Sequence, residues 1–294
     1  MQKCKMPVMV NPAGTVYNPV SVLNTIENIV SGKLTSKADL FNHEGTWLSF
    51  FHYTDFSSEN PDLLIKKINE RTLVAAEFLS KSGFLFVTFG TARVYRFRKT
   101  GRIVSNCHKV PNNQFEQELL TVGSIVDQWL PLLDRLSAFN QKLKVVFTVS
   151  PVRHWKDGAH GNQVSKSVLF LAVEELLKHK SKPHYFPAYE LLMDDLRDYR
   201  FYADDMLHPS QAAVEYIWDK FSGAFFEKST LSLQKEVTGI AIALNHRFIT
   251  DSQLKKKAFA ERILKQIKEI ELKDQGIDFS MEKDYFTDIA GISL

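Results

Sequence analysis

The chain has 294 residues, 44% of them hydrophobic and 24% charged, which is enough apolar material for a buried core and lies outside the composition of disordered chains. Its 37 basic and 34 acidic residues leave a net charge of +3, too small for bulk electrostatics to argue a nucleic-acid or anionic-membrane partner. Two cysteines, Cys4 and Cys107, exclude a disulfide framework. No apolar run approaches the ~20 residues of a membrane span, and the run ending at Val10 is shorter than the ~7 to 15 apolar residues of a signal peptide, so a cytoplasmic location is expected.

The apolar run at residues 6–10 predicts a strand, closed by Asn-Pro-Ala-Gly, and a helix follows over 19–30. Residues 31–60 mix polar turns with aromatics and predict a loop-rich insertion. Helical spacing through Leu64, Ile68, Leu73 and Ala76 then predicts a helix over 61–82. After Gly83, Phe84-Leu85-Phe86-Val87-Thr88-Phe89 is a nearly unbroken apolar strand of the kind buried on both faces in a parallel sheet. A polar excursion runs to Phe115, a helix is predicted over 115–139, and 143–149 is a second buried strand ending at Ser150-Pro151. A helix over 165–179, a short strand at 185–186 and a helix over 187–198 complete the alternation.

Strands alternating with helices in this way predict right-handed crossovers and a parallel sheet with helices on both faces, a three-layer α/β/α sandwich. Ligands of such sheets sit at the carboxyl ends of the strands, which directs attention to residues 11–14, 90–92, 150–154 and the segment after 186. A boundary is predicted between residues 225 and 226. In the helical extension beyond it, Phe259, Ile263, Ile267 and Ile270 form one apolar face, expected to pack on the main domain or to support an oligomer, and a polar tail is expected from Asp274.

The segment richest in chemistry is 199–210, which holds Asp205-Met206-Leu207-His208. A carboxylate three residues before a histidine can fold back to accept the Nδ1 hydrogen, leaving Nε2 as general base toward a hydroxyl nucleophile. The competing reading is a solvated turn whose Asp caps the next helix. Pro209 is expected in the first turn of that helix. Elsewhere, Asn106 and His108 are candidates for orienting substrate or an oxyanion, and Arg153 and His154, at the end of the second strand, for holding an anionic or polar substrate. A structural Arg paired with an acidic neighbour competes with that role. Cys107 is a weak nucleophile candidate, and Ser150, lacking a Gly-x-Ser-x-Gly elbow, is read as a turn former. No His or Cys spacing suggests zinc, and neither metal nor cofactor is expected.

The segments Asn-Pro-Ala-Gly-Thr-Val-Tyr-Asn-Pro (11–19), Thr-Phe-Gly-Thr-Ala (88–92), Asn-Cys-His-Lys (106–109), Thr-Val-Ser-Pro-Val-Arg-His (148–154) and Arg-Phe-Tyr-Ala-Asp-Asp-Met-Leu-His-Pro-Ser (200–210) together resemble the GSCFA family of the SGNH hydrolase clan. The resemblance implies an SGNH-hydrolase-like domain over 1–225, with Asp205 and His208 as the clan's Asp-x-x-His pair. It also implies that Gly14 and Gly90 mark the loops shaping the oxyanion and substrate pocket. The implied activity is that of an esterase or deacylase on a small-molecule or glycan ester.

One departure stands out. The family's Gly-Ser-Cys-Phe-Ala segment, whose serine corresponds to the clan's nucleophile, does not occur in these residues. The expectation is therefore an activity impaired in the chain as it stands, with a native start further upstream. The rivals are a non-catalytic binding protein that keeps the hydrolase fold and, more remotely, a thiol-dependent transferase using Cys107.

Overall fold

The structure, a computed structural model, describes residues 1–248, 252–274 and 276–291. Asn18 accepts the Ser21 amide at 2.8 Å and Pro19 supplies a preset first turn, so α1 (Pro19–Ser31) begins there and ends at Gly32, whose φ of 67° is left-handed. The expected loop-rich insertion contains a small antiparallel sheet: β1 (Phe41–His43), β2 (Thr46–Leu48) and β3 (Ser57–Ser58). Its first turn uses Glu44 and Gly45, both at positive φ, as a tight hairpin requires. Asn60 then caps α2 (Pro61–Lys81), which buries Leu64, Ile68, Ala75 and Leu79. Leu73, assigned to that face from spacing, is instead 54% exposed.

β4 (Phe84–Phe89) coincides with the predicted strand. The polar excursion after it folds into a second antiparallel sheet, β5 (Arg93–Phe97), β6 (Arg102–Val104) and β7 (Phe115–Leu119), in the order β6-β5-β7. The helix expected from 115 therefore starts later. Thr121 and Ser124 form a reciprocal capping box, and α3 is Val122–Phe139. β8 (Lys144–Val149), α4 (Gly158–Leu176), β9 (His184–Tyr185) and the short α5 (Ala188–Glu190), which runs into a π-turn at Leu191–Asp195, follow. α6 spans Gln211–Phe225, with Ser210 ahead of it accepting from the Ala213 amide, so Pro209 precedes the helix instead of entering its first turn.

The protein is thus mixed α/β with a parallel sheet of order β4-β8-β9. β4 and β8 run in register from Phe84 opposite Lys144 to Phe89 opposite Val149. Among the described residues the outer edge of β4 pairs with no strand. Residues 6–10 form no strand either, because Pro7 cannot donate to a ladder and Val10 is left 47% exposed.

Phe89, Trp129 and Phe147 are fully buried, their ring centroids 5.1 to 5.6 Å apart. Apolar residues of α1, α3 and α4 surround them. The Trp129 indole donates to the Pro19 carbonyl at 3.1 Å, which attaches the start of α1 to this core.

Two compact units result, Met9–Ile217 and a second made of Met1–Val8 with the described residues from Trp218 on, so the division falls inside α6. In the second unit, α7 (Lys228–Leu244), α8 (Gln253–Lys273) and α9 (Ser280–Ala290) share a core of Val237, Ile240, Ile263, Ile267, Ile270 and Phe286. The apolar face of α8 is spent there. Part of the expected polar tail is α9, since Phe279, Phe286 and Ala290 recur on one face among charges. Lys5, from the N-terminal turn, pairs with buried Glu282 at 2.9 Å.

Removing the central indole should be costly: Trp129→Ala is expected to lose about 3 to 5 kcal/mol, read as a lower urea midpoint with an unchanged m-value. A midpoint shift worth under about 1 kcal/mol would contradict this account of the core.

Candidate active site

The Asp205–His208 pair sits on a hairpin-like loop. Tyr202 and Pro209 form an antiparallel bridge, the Ala203 amide donates to the His208 carbonyl at 2.8 Å, and the Ser210 amide donates to the Phe201 carbonyl at 2.8 Å. Met206, at φ 58°, turns the chain at the tip and donates to the Ala203 carbonyl at 2.9 Å.

Within this turn Asp205 Oδ1 accepts from the amides of Leu207 and His208, each at 2.9 Å, and Oδ2 meets His208 Nδ1 at 2.5 Å. The His208 amide first, then its imidazole, then the Leu207 amide hold the Asp205 carboxyl down at about 2. His208 Nε2 makes no hydrogen bond among the described residues, and its side chain is 62% exposed, against 46% for Asp205.

At the carboxyl ends of β4 and β8 the chain is tied by one segment of α4. Lys166 is fully buried and its ammonium donates to the carbonyls of Gly90 and Ser150, both at 2.6 Å. Burial pushes it down to about 8. Beside it, the Ser165 hydroxyl accepts from the Ala92 amide at 2.8 Å and lies 3.0 Å from the Thr91 hydroxyl, and Asn162 accepts from the His154 amide at 3.0 Å. The His154 imidazole is held below the ordinary histidine range by burial first and by Lys166 second, Asp157 opposing.

The two glycines implied by family resemblance are there for close packing. The Gly90 amide donates to the Tyr17 carbonyl at 2.7 Å, and a Cβ at Gly90 would lie 3.0 Å from that oxygen. Gly14 has φ 80°, a Cβ there would lie 2.2 Å from Tyr53 Cβ, and its amide is given to the Asn11 carbonyl. Neither glycine offers a free amide to an oxyanion in this arrangement.

The structure brings Arg153 to the loop that carries Asp205 and His208. Its guanidinium donates to the Tyr202 hydroxyl at 3.1 Å and lies 5.0 Å from that ring, so the segment after β8 and the hairpin carrying Asp205 and His208 are directly joined.

Asn106 and His108 lie in a different cluster. His108 is buried, its Nε2 is 2.8 Å from the Ser49 carbonyl, its amide donates to Asn106 Oδ1, and it packs near Phe41 and Phe50. His52, whose Nδ1 is 2.8 Å from the Ser49 hydroxyl, belongs to the same group and is pushed down to about 4 by burial, with His108 reinforcing and Asp39 opposing. No hydrogen bond or ring contact links this cluster to His208 among the described residues. The Cys107 thiol is pushed up to about 11 by burial, against a smaller effect of Lys156, the wrong direction for a thiolate nucleophile.

Lys166 and Tyr202 were not among the candidates read from the sequence. Lys166 had a signal: Asn162, Ser165, Lys166, Leu169, Ala172, Val173 and Leu176 form the buried stripe of α4, and tracing that stripe back from its apolar part reaches the lysine. Among the described residues no group of three or more His, Cys, Asp or Glu is placed to hold a metal ion. Nor is any helix among them long and apolar enough to cross a membrane.

The fold and site thus define a mixed α/β protein with an exposed imidazole–carboxylate pair joined to the carboxyl end of its parallel sheet. The model of the GSCFA family matches residues 1–221, and the chain belongs to that family. No curated protein and no solved structure matches it.

Two titrations follow. The Asp205 carboxyl should titrate near 2 in a carbon-detected NMR series, against ~3.9 for a free aspartate, so its contribution to stability is complete above the unfolded value and disappears only as pH falls through about 2. A midpoint near the free value would break the account. Lys166 has the opposite window: unfolded lysine keeps its proton to ~10.4 and the buried one to about 8, so the folded state gains stability as pH rises between them. Lys166→Met should flatten that rise by about one proton equivalent in urea melts across the window.

Proposed function

We propose that this chain is an SGNH-type serine hydrolase, an esterase or deacylase, in which His208 is the general base and Asp205 orients it. The observation that carries the reading is the 2.5 Å Oδ2–Nδ1 contact inside a turn that also anchors the other carboxylate oxygen, leaving Nε2 open. An isolated helix cap would need only the amide bonds. The imidazole bond fixes a tautomer, which is what proton transfer from a hydroxyl requires.

Under this reading the nucleophile is the serine of a Gly-Ser-Cys-Phe-Ala segment, and the open edge of β4 offers a strand leading to it a place in the sheet of a three-layer sandwich. His208 Nε2 takes the serine proton as Oγ attacks the ester carbonyl, then returns it to the leaving alcohol; water repeats the sequence to release the acid. The substrate is an ester of a small molecule or glycan. A non-catalytic binding role that keeps the fold is the second reading.

Turnover of a simple aryl acetate separates the two. The chain with the Gly-Ser-Cys-Phe-Ala segment fused ahead of it should hydrolyse the ester, while the 294 residues without it should be about 10⁴- to 10⁶-fold slower. In the fused chain, His208→Gln and Asp205→Asn should each lower kcat by about 10³- to 10⁴-fold. Full activity in His208→Gln would remove His208 as the general base, and no turnover in any form would favour the binding role.

A further inference from the structure

Two cations stand at the carboxyl ends of β4 and β8 without a carboxylate to balance them. Arg153, half-buried, uses one terminal nitrogen for the Tyr202 hydroxyl at 3.1 Å and Met193 Sδ at 4.0 Å; its other N–H groups make no hydrogen bond among the described residues. No Asp or Glu among them lies within ion-pair distance of it. Lys166 is enclosed completely, and its ammonium is bonded to two backbone carbonyls, one of them on Ser150, three residues before Arg153.

Two carboxylates on these segments are already engaged. Asp157 faces Arg93 at 3.4 Å and accepts from Gln117 at 3.2 Å, while Asp205 is held by His208 and two amides. Among the described residues neither cation therefore has a carboxylate within ion-pair distance, and only Arg153 keeps N–H groups unfilled.

The guanidinium is also backed by rings, 5.0 Å from Tyr202 and 5.8 Å from the half-exposed Trp155. A guanidinium held against aromatic faces, with part of its fork unfilled, suits an oxyanion accepting two parallel N–H bonds. Tyr202, the residue that holds Arg153, bridges Pro209, the neighbour of His208. An anion on Arg153 would accordingly lie beside the proposed base.

We propose that this site takes a substrate bearing an anionic group, a carboxylate or a phosphate, seated on the free N–H groups of Arg153. The anion site stands on its own geometry; only the placement of an ester at His208 rests on the hydrolase reading.

The test is a titration of the full chain with sodium acetate and with inorganic phosphate at constant ionic strength, following the Arg153 Nε–H and Trp155 indole N–H signals by NMR. Saturable shifts are expected for at least one of the two, and the tighter probe identifies the anion class. Arg153→Gln should weaken that binding by at least about tenfold, with Arg153→Lys intermediate because it keeps the charge and loses the fork. Absence of saturable shifts with both probes in the unmodified chain overturns the proposal whether or not the variants fold, as does equal affinity in a folded Arg153→Gln.

A second arm compares kcat/KM for a neutral ester and its carboxylate-bearing analogue in the chain carrying the fused serine segment. Preference for the anionic ester, lost in Arg153→Gln, is the expected result; preference for the neutral one in the unmodified chain counts against the proposal. If neither ester turns over, the hydrolase reading fails and the anion titration decides the site.

Discussion

The ammonium of Lys166 holds together the end of the molecule where chemistry is proposed. β4 and β8 hydrogen-bond in register as far as Phe89 and Val149, and the Ser150 amide still donates to the Phe89 carbonyl at 2.9 Å. Beyond that point the chains part, Gly90 turning toward Tyr17 and Ser150 toward Arg153. The fork would leave two carbonyls buried without partners, which costs about 1 to 3 kcal/mol each. Lys166 fills it. The same part of α4 contributes Ser165 to the Ala92 amide and Asn162 to the His154 amide, so one stretch of helix sets both loops. Burying an ammonium between neutral oxygens is a large electrostatic expense, visible in how far burial lowers its proton affinity. An apolar side chain there would avoid that expense and lose the two bonds.

The Asp205–His208 turn is built on the opposite principle. Every bond to Asp205 comes from within three residues of it, and both side chains face water. An exposed ion pair of this kind adds little to the stability of the fold. What it does is fix geometry: one carboxylate oxygen fastens the backbone and the other fastens the ring. Its link to the sheet is indirect, through Tyr202, which bridges Pro209 on one side and receives Arg153 on the other. A self-contained turn of this kind can keep the imidazole oriented while the loops around it adjust.

What the sequence made legible follows the same division between local and distant contacts. β4 and β8 were readable because each is a nearly continuous apolar run with a hard stop. α1 and α2 were readable because Asn-Pro at each start is itself a capping device. The Asp205–His208 contact was readable because it spans three residues. β7 was not: Glu116, Gln117 and Glu118 show no apolar alternation, and the segment is a strand because Arg93–Phe97 lies beside it. The strands β1 to β3 are two or three residues long, too short to display a period. Arg153 and Tyr202, 49 positions apart, meet only in the folded chain. His108, a candidate from its motif, is set by the fold near Phe41 and Phe50 against the Ser49 carbonyl, contacts that lie far apart in the chain.

The histidines make the functional argument sharper than the motif does. His52, His108 and His154 are each pushed down by burial before any other cause, so near neutral pH they stay uncharged where they sit. Their ring nitrogens or amides are committed to hydroxyls, carbonyls and an asparagine that fix loops. His208 differs in kind: it is exposed, stands on an ionised carboxylate, and has its second ring nitrogen unengaged among the described residues. Of these four it has the setting in which a proton can arrive and be stabilised by a partner that is already charged. Arg153, bonded to Tyr202 of the same hairpin, has no Asp or Glu within ion-pair distance among the described residues. A carboxylate within ion-pair distance would fill its fork, and the carboxylate of Asp205 on the hairpin tip is already bonded to the imidazole.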